Sequence, residues 1–255
     1  MALMRNEIPL LEFDAASNAV IDPDHEQLDL HLPEKCVFAF LGDLIDSYAS
    51  SVHARVAGHF ISATKRYPVY IITDQEEEIV LCQAPVGAAP AVQLMDWLIG
   101  YGVRQIISAG SCGALEPFAE NTFLIPYKAL RDEGTSYHYA PPSRFMEISA
   151  SARKAIEKAI TDHGLCYREI ITWSTDGFFR ETKEKVAYRK REGCSAVEME
   201  CSALAACAAF RGVTWGMILY TADTLADVDA YDERQWGVNA CECALKLCLD
   251  AIKNL

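Results

Sequence analysis

The chain is short of positive charge. Twenty-three Lys and Arg stand against 36 Asp and Glu, a formal net charge of −13. Nucleic-acid binders show a basic patch or a basic balance, and binders of anionic membranes gather Lys and Arg. Both classes are excluded as expectations. The sequence has no apolar run of about eighteen residues, so no membrane-spanning helix is expected. Met1 to Asp14 carries Arg5, Glu7 and Glu12 and has no apolar stretch of signal length. The expected location is cytoplasmic. GxGxxG and Walker patterns are missing, as are repeats, low-complexity tracts and Gly/Ser linkers. Paired CxxC spacing is missing too, so no metal site is expected.

Cysteine itself is not scarce, with ten residues. Cys201, Cys207, Cys241, Cys243 and Cys248 lie in segments that read as helices. They are read as reduced, mostly buried thiols, with a regulatory or metal-binding thiol as the alternative. The rest of the composition is ordinary. Apolar residues make up 51% and charged residues 23% of 255 positions, which excludes disorder. A chain of this size folded as one domain buries roughly three quarters of its unfolded surface.

Short β-rich runs alternate with helical ones. Cys36–Gly42 reads as a buried strand, and Pro68–Asp74 and Glu78–Ala84 as two strands about a turn at Gln75–Glu77. Pro90–Tyr101 has Val92, Met95, Leu98 and Ile99 on one helical face, with Pro90 suited to a first turn. Gln105–Gly110 and Glu169–Trp173 read as strands. Ala152 to His163 keeps helical spacing before the stop at Gly164. Glu200–Phe210 is helical, Thr214–Ala222 is a strand buried on both faces, and Trp236 to Ala251 is a closing amphipathic helix. The alternation predicts an α/β domain with a largely parallel or mixed sheet. In such sheets ligands bind outside the carboxyl ends of strands.

Four strand ends carry candidate chemistry. Gly42-Asp43-Leu44-Ile45-Asp46 combines a close-approach glycine with two carboxylates, or is a turn with a helix N-cap. Gly110-Ser111-Cys112-Gly113 suits a nest of N–H groups for an anion, or a tight turn. Val197-Glu198-Met199-Glu200 sets two carboxylates at a strand-to-helix junction. They suit a vicinal diol, or a helix N-terminus that favours negative charge. Asp223 directly follows a buried strand and is a candidate general acid, or a helix N-cap.

Together QIISAGSCGAL (Gln105–Leu115), STDGFF (Ser174–Phe179), AVEMECSAL (Ala196–Leu204) and YTAD (Tyr220–Asp223) resemble the nucleoside phosphorylase family. That family includes purine nucleoside phosphorylases, uridine phosphorylases and methylthioadenosine/adenosylhomocysteine nucleosidases. The likeness covers about residues 36–250, and RDEGTSYHYAPP (Arg131–Pro142) looks most like the uridine-phosphorylase branch. The resemblance implies a single domain over 1–255, with a mixed, barrel-like β-sheet flanked by helices. It implies a cytoplasmic homo-oligomer of nucleoside salvage: a dimer, a trimer of dimers or a hexamer. No metal or organic cofactor is implied; phosphate is a co-substrate. Met199 would pack under the ribose and Glu200 bind its hydroxyls. Phe178 would contact the base and Arg180 read a base carbonyl. Gly42, Gly110 and Ser111 would hold phosphate, and Asp223 would protonate a purine leaving group.

Two departures bear on the attacking species. Phosphorolytic relatives carry GDPxR and RxGS, where this chain has Asp46 and Ser108. A carboxylate about 4 Å from a phosphate charge costs about 4 kcal/mol at an effective dielectric of 20. The expected reaction is phosphorolysis of uridine or a purine nucleoside to free base and ribose 1-phosphate. The alternatives are hydrolysis, with Asp46 activating water, and nucleoside binding without turnover. Arg55, Arg66 and His138 are candidates for contributions from a neighbouring subunit.

Overall fold

In the computed structural model, which describes residues 3–74 and 76–255, the unbroken apolar runs become interior strands of one sheet. β1 (Lys35–Ala39), β5 (Gln105–Ala114) and β10 (Thr214–Thr224) are buried over nearly all their length. Helices cover both faces, which is why these strands show no polar alternation.

Ten strands make the sheet. The remaining seven are β2 (Arg55–Ile61), β3 (Arg66–Asp74), β4 (Glu77–Gln83), β6 (Phe123–Asp132), β7 (Phe145–Glu147), β8 (Tyr167–Thr175) and β9 (Cys194–Glu198). Their order is β10-β6-β8-β9-β5-β1-β4-β3-β2, with β7 beside β6. A further pairing of β10 with β5 closes β10, β6, β8, β9 and β5 into a ring. β1, β4, β3 and β2 leave the ring as an open wing. Parallel pairs (β1–β4, β1–β5, β5–β10) and antiparallel pairs (β5–β9, β6–β10) are mixed. This is the single α/β domain with a mixed, barrel-like sheet that the motifs imply.

α2 (Ala88–Gly100) and α6 (Cys201–Arg211) cover one face, where Leu94, Met95 and Leu98 share a core with Leu204 and Cys207. α4 (Ala150–Asp162) and α7 (Cys241–Lys253) cover the other through Ile156, Ile160, Leu245 and Ile252. α1 (Leu44–Ser51), α3 (Ser136–Tyr139) and α5 (Lys183–Arg191) complete the helices. Among the described residues no helix is long and apolar enough to cross a membrane. No cysteine is bonded to another.

Several boundaries differ from the sequence reading. β5 runs on through Gly110-Ser111-Cys112-Gly113, so this segment is neither a nest nor a turn. Its backbone pairs with β10, Gly110 against Leu219 and Cys112 against Thr221. Likewise Asp223 lies inside β10 rather than after it. Trp236 lies outside the closing helix, with φ +57° ahead of Gly237. Of the expected turn at Gln75–Glu77, Gln75 is outside the described residues. β2, β6, β7, α3 and α5 were not anticipated, and β9 only as the strand side of the junction at Val197–Glu200.

Candidate active site

The two parallel strands β5 and β10 fall out of step at their carboxyl ends. Cys112 faces Thr221 and Ala114 faces Thr224, so β10 advances three residues while β5 advances two. The extra residue makes a bulge, a device that re-aims side chains beside active sites. Asp223 belongs to this bulge and is 6% exposed. Its Oδ1 would lie 3.3 Å from a Cβ built on Gly113. Glycine at 113 therefore leaves room for the acid. Burial pushes the Asp223 carboxyl up from its ordinary value, while bonding to Tyr231 and the charge of Arg234 pull it back.

The second feature is the turn from β9 to α6. Glu198 Oε2 accepts the N–H groups of Glu200 and Cys201, each at 2.7 Å. Its Oε1 accepts Ser174 Oγ at 2.6 Å and Thr172 Oγ1 at 3.3 Å. This carboxylate satisfies two N–H donors at the start of α6 and holds the Met199-Glu200 turn against β8. Glu200 Oε1 accepts the N–H of Gly87, the residue preceding α2, at 2.5 Å. Burial first, then the charge of Glu198, pushes the Glu200 carboxyl up to about 8.

A third wall comes from the turn Phe178–Arg180 and Glu181 behind it. Phe178 is 43% exposed and packs edge-on against Phe179, with ring centroids 5.0 Å apart. The Glu181 carboxyl is pushed up to about 7 by burial and then by the charge of Asp223, with Lys185 opposing.

These walls enclose one cavity. Of the residues singled out from sequence, Gly110, Ser111, Phe178, Met199, Glu200 and Asp223 line it together. Gly42, Asp46 and Arg180 are not in its lining. Gly42 is an exposed turn residue at φ +58°, and Arg180 is exposed. Asp46 sits in the first turn of α1, where its Oδ1 accepts the Tyr70 hydroxyl at 2.9 Å. Ser108 is fully buried and accepts the Trp215 indole N–H at 3.0 Å. Asp43 precedes α1 but makes no side-chain cap bond.

Sequence reasoning missed Glu181 and Trp236 as lining residues and gave Glu198 no separate role. The charged lining residues are Glu181, Glu198, Glu200 and Asp223, with no Lys, Arg or His among those described. Arg55 pairs with Glu78 at 3.5 Å on the exposed wing, where Arg66 also lies. A roomier cleft, about 590 Å³ against about 170 Å³, contains His138. Its buried charge is already matched, since Asp96 accepts Arg211 Nε at 2.7 Å and Nη2 at 2.9 Å, and the Tyr139 hydroxyl at 3.0 Å. The smaller cavity is the one whose lining gathers several buried carboxyls. Among the described residues no cluster of His, Cys, Asp and Glu has the arrangement to hold a metal ion.

Comparison with known proteins gives this cavity a family setting. The profile of the phosphorylase superfamily matches residues 36–253. A DeoD-type purine nucleoside phosphorylase of Caldanaerobacter subterraneus subsp. tengcongensis is 29% identical over 154 residues, 57% of this chain. The match spans 64% of that relative's length. The fold superposes on AMP nucleosidase from Bacteroides thetaiotaomicron with a TM-score of 0.70 and 23% identity, covering 87% of this chain and 88% of that one. On uridine phosphorylase from Vibrio fischeri ES114 the TM-score is 0.73 at 19% identity, covering 92% and 94%.

Proposed function

The chain belongs to the phosphorylase superfamily, and from that premise we propose that it cleaves the N-glycosidic bond of a purine nucleoside with water as the attacking species. One observation carries this reading. A single cavity gathers two buried carboxyls, those of Glu200 and Asp223, with no cation in its described lining.

The chemistry follows from these groups. Breaking an N-glycosidic bond leaves positive charge on the sugar and negative charge on the base. Glu200, once ionised, accepts hydrogen bonds from the two ribose hydroxyls and faces the developing positive charge. Met199 packs under the sugar and Phe178 lies against the base. Asp223, whose carboxyl burial pushes up from its ordinary value, donates its proton to N7 of the departing purine. Uracil has no N7, so this acid favours a purine. Every lining carboxyl that ionises repels a phosphate dianion but not water, and no lining cation offsets it.

Phosphorolysis is the second reading, favoured by the name of the bacterial relative. It requires a cation from outside this cavity, for which Arg66 on the exposed wing of a neighbouring copy is the candidate.

The test incubates purified protein with adenosine, inosine and uridine, in phosphate-free buffer and again with phosphate. Free purine and free ribose without phosphate is the expected result. Base release that requires phosphate and yields ribose 1-phosphate transfers the function to phosphorolysis. Saturable binding with no base release ends the enzymatic reading.

A further inference from the structure

We infer that Glu133 is a positioning residue, which sets the place of the Glu200 carboxyl from behind the cavity through Ser202, Ser174 and Glu198. The inference rests on the ribose reading of Glu200 above and adds a residue that never touches substrate. Glu133 lies in RDEGTSYHYAPP, a segment that the proposed chemistry leaves without a role. It is 4% exposed and is not in the cavity lining. Its carboxylate accepts the Ser202 hydroxyl at 2.7 Å and the Ser136 N–H at 3.0 Å. Ser202 stands in the first turn of α6 and is fully buried. Its own N–H donates to Ser174 Oγ at 2.9 Å, and Ser174 Oγ donates to Glu198 Oε1 at 2.6 Å. The other oxygen of Glu198 accepts the Glu200 N–H.

The next residue makes a second tie. Gly134 N–H donates to Asp176 Oδ2 at 2.8 Å, two residues before Phe178. Residues 133 and 134 thus clasp two walls of the cavity from outside it: the start of α6 and the turn after β8. Arg131, also buried, shapes the clasp by donating to Ser136 Oγ at 2.9 Å, the Pro141 carbonyl at 2.7 Å and Ser143 Oγ at 2.8 Å. Burying a carboxylate is costly unless hydrogen bonds compensate it. One of the donors that compensates Glu133 is a hydroxyl two residues from Glu200, so the bond that keeps Glu133 buried also ties the loop to the site.

The experiment severs the link with Ser202→Ala, which keeps the backbone N–H for Ser174, and separately with Glu133→Gln. The double variant completes a cycle. Adenosine and adenine binding are read by calorimetry, KM and kcat by turnover, folding by a melting curve and backbone order by amide hydrogen exchange. Each single variant is expected to weaken adenosine binding and raise KM about 10-fold, the scale of one hydrogen bond to a charged group. Adenine binding is expected to be unchanged and kcat to change less than KM. The double variant loses no more than the worse single one, and the Glu200 amide exchanges faster in all three. Ser202→Ala, a change of one oxygen atom, decides the matter if Glu133→Gln does not fold. A folded Ser202→Ala with wild-type KM and wild-type exchange at Glu200 overturns the proposal. So does an equal loss on adenine and adenosine, which marks general loosening. Faster exchange at Glu200 in a protein that binds no nucleoside keeps the positioning role and ends the ribose reading instead.

Discussion

Glu198 holds Glu200: Oε2 of the first accepts the backbone N–H of the second at 2.7 Å. The same carboxylate is, after burial, the largest upward push on the Glu200 carboxyl. One buried acid thus sets both the position and the protonation of its neighbour.

Glu198→Gln separates these two effects. It keeps the shape and one oxygen for the N–H groups but deletes the charge. Ribose hydroxyls donate to a carboxylate, so nucleoside binding strengthens as Glu200 ionises. In wild type KM is expected to fall as pH rises toward about 8. In Glu198→Gln that inflection moves to lower pH, with kcat changed less than KM. An inflection that stays in place refutes the electrostatic coupling, and a lost melting transition marks a purely structural role.

Asp223→Asn removes a transferable proton while leaving a side chain of the same size. A positioned general acid contributes about 10²–10⁴-fold, so kcat for adenosine is expected to fall by that order. The sign with pH follows from the direction of the shift. The acid works when protonated and burial raises its pKa, so wild-type kcat declines as pH rises through that raised value. The variant loses this limb. A 4-nitrophenyl riboside, whose leaving group needs no proton, is expected to be cleaved at nearly the wild-type rate by Asp223→Asn. An equal loss on both substrates contradicts leaving-group protonation.

Gly113→Ala tests the bulge. The added Cβ meets Leu225 Cδ1 and Val197 Cγ1 at 2.9 Å and Asp223 Oδ1 at 3.3 Å. Overpacking of this kind costs about 1–3 kcal/mol, measurable by denaturant unfolding. Because Asp223 is one of the displaced atoms' owners, kcat is expected to fall further than KM rises. Unchanged stability and kcat show that the neighbours yield without moving the acid.

The parts of this molecule written in local pattern were legible. β1 and β10 announce themselves as apolar runs, and α4 by Ala155, Ile156, Ala159 and Ile160. The grouping of Met199, Glu200, Ser111 and Asp223 was readable because each lies in a motif with a strand beside it. What failed was decided by tertiary pairing. Gly110-Ser111-Cys112-Gly113 has the composition of a turn, yet its backbone groups find partners on β10 and stay extended. Asp223 reads as a residue beyond a strand because a bulge needs two strands to exist. Trp236 fits a helical stripe, but its left-handed backbone beside Gly237 keeps it out of α7. Glu181 carries no motif; two consecutive aromatics, Phe178 and Phe179, then Arg180 and an acid, were the available signal.

The last prediction joins the site to stability. Glu200 is 6% exposed, and its carboxyl is raised from 4.5 to about 8. Between those values the folded state holds a proton that the unfolded chain releases, so folding stability falls as pH rises. The contribution is whole below about 4.5 and is lost as pH passes through about 8. Glu181, raised to about 7, acts in the same sense. Asp132 and Asp250, held low by Lys and Arg or His partners, act oppositely, but only at acid pH below this window. Melting temperature is therefore expected to drop from pH 5 to pH 8. Glu200→Gln, which cannot ionise, is expected to narrow that drop while abolishing nucleoside binding. If ribose hydroxyls bind Glu200 as proposed, they add donors to the backbone N–H groups of Gly87 and Met199 that already lower its carboxyl. Added nucleoside should accordingly raise the wild-type melting temperature more at pH 8 than at pH 5. A drop of equal size in wild type and Glu200→Gln would locate the pH dependence elsewhere in the chain.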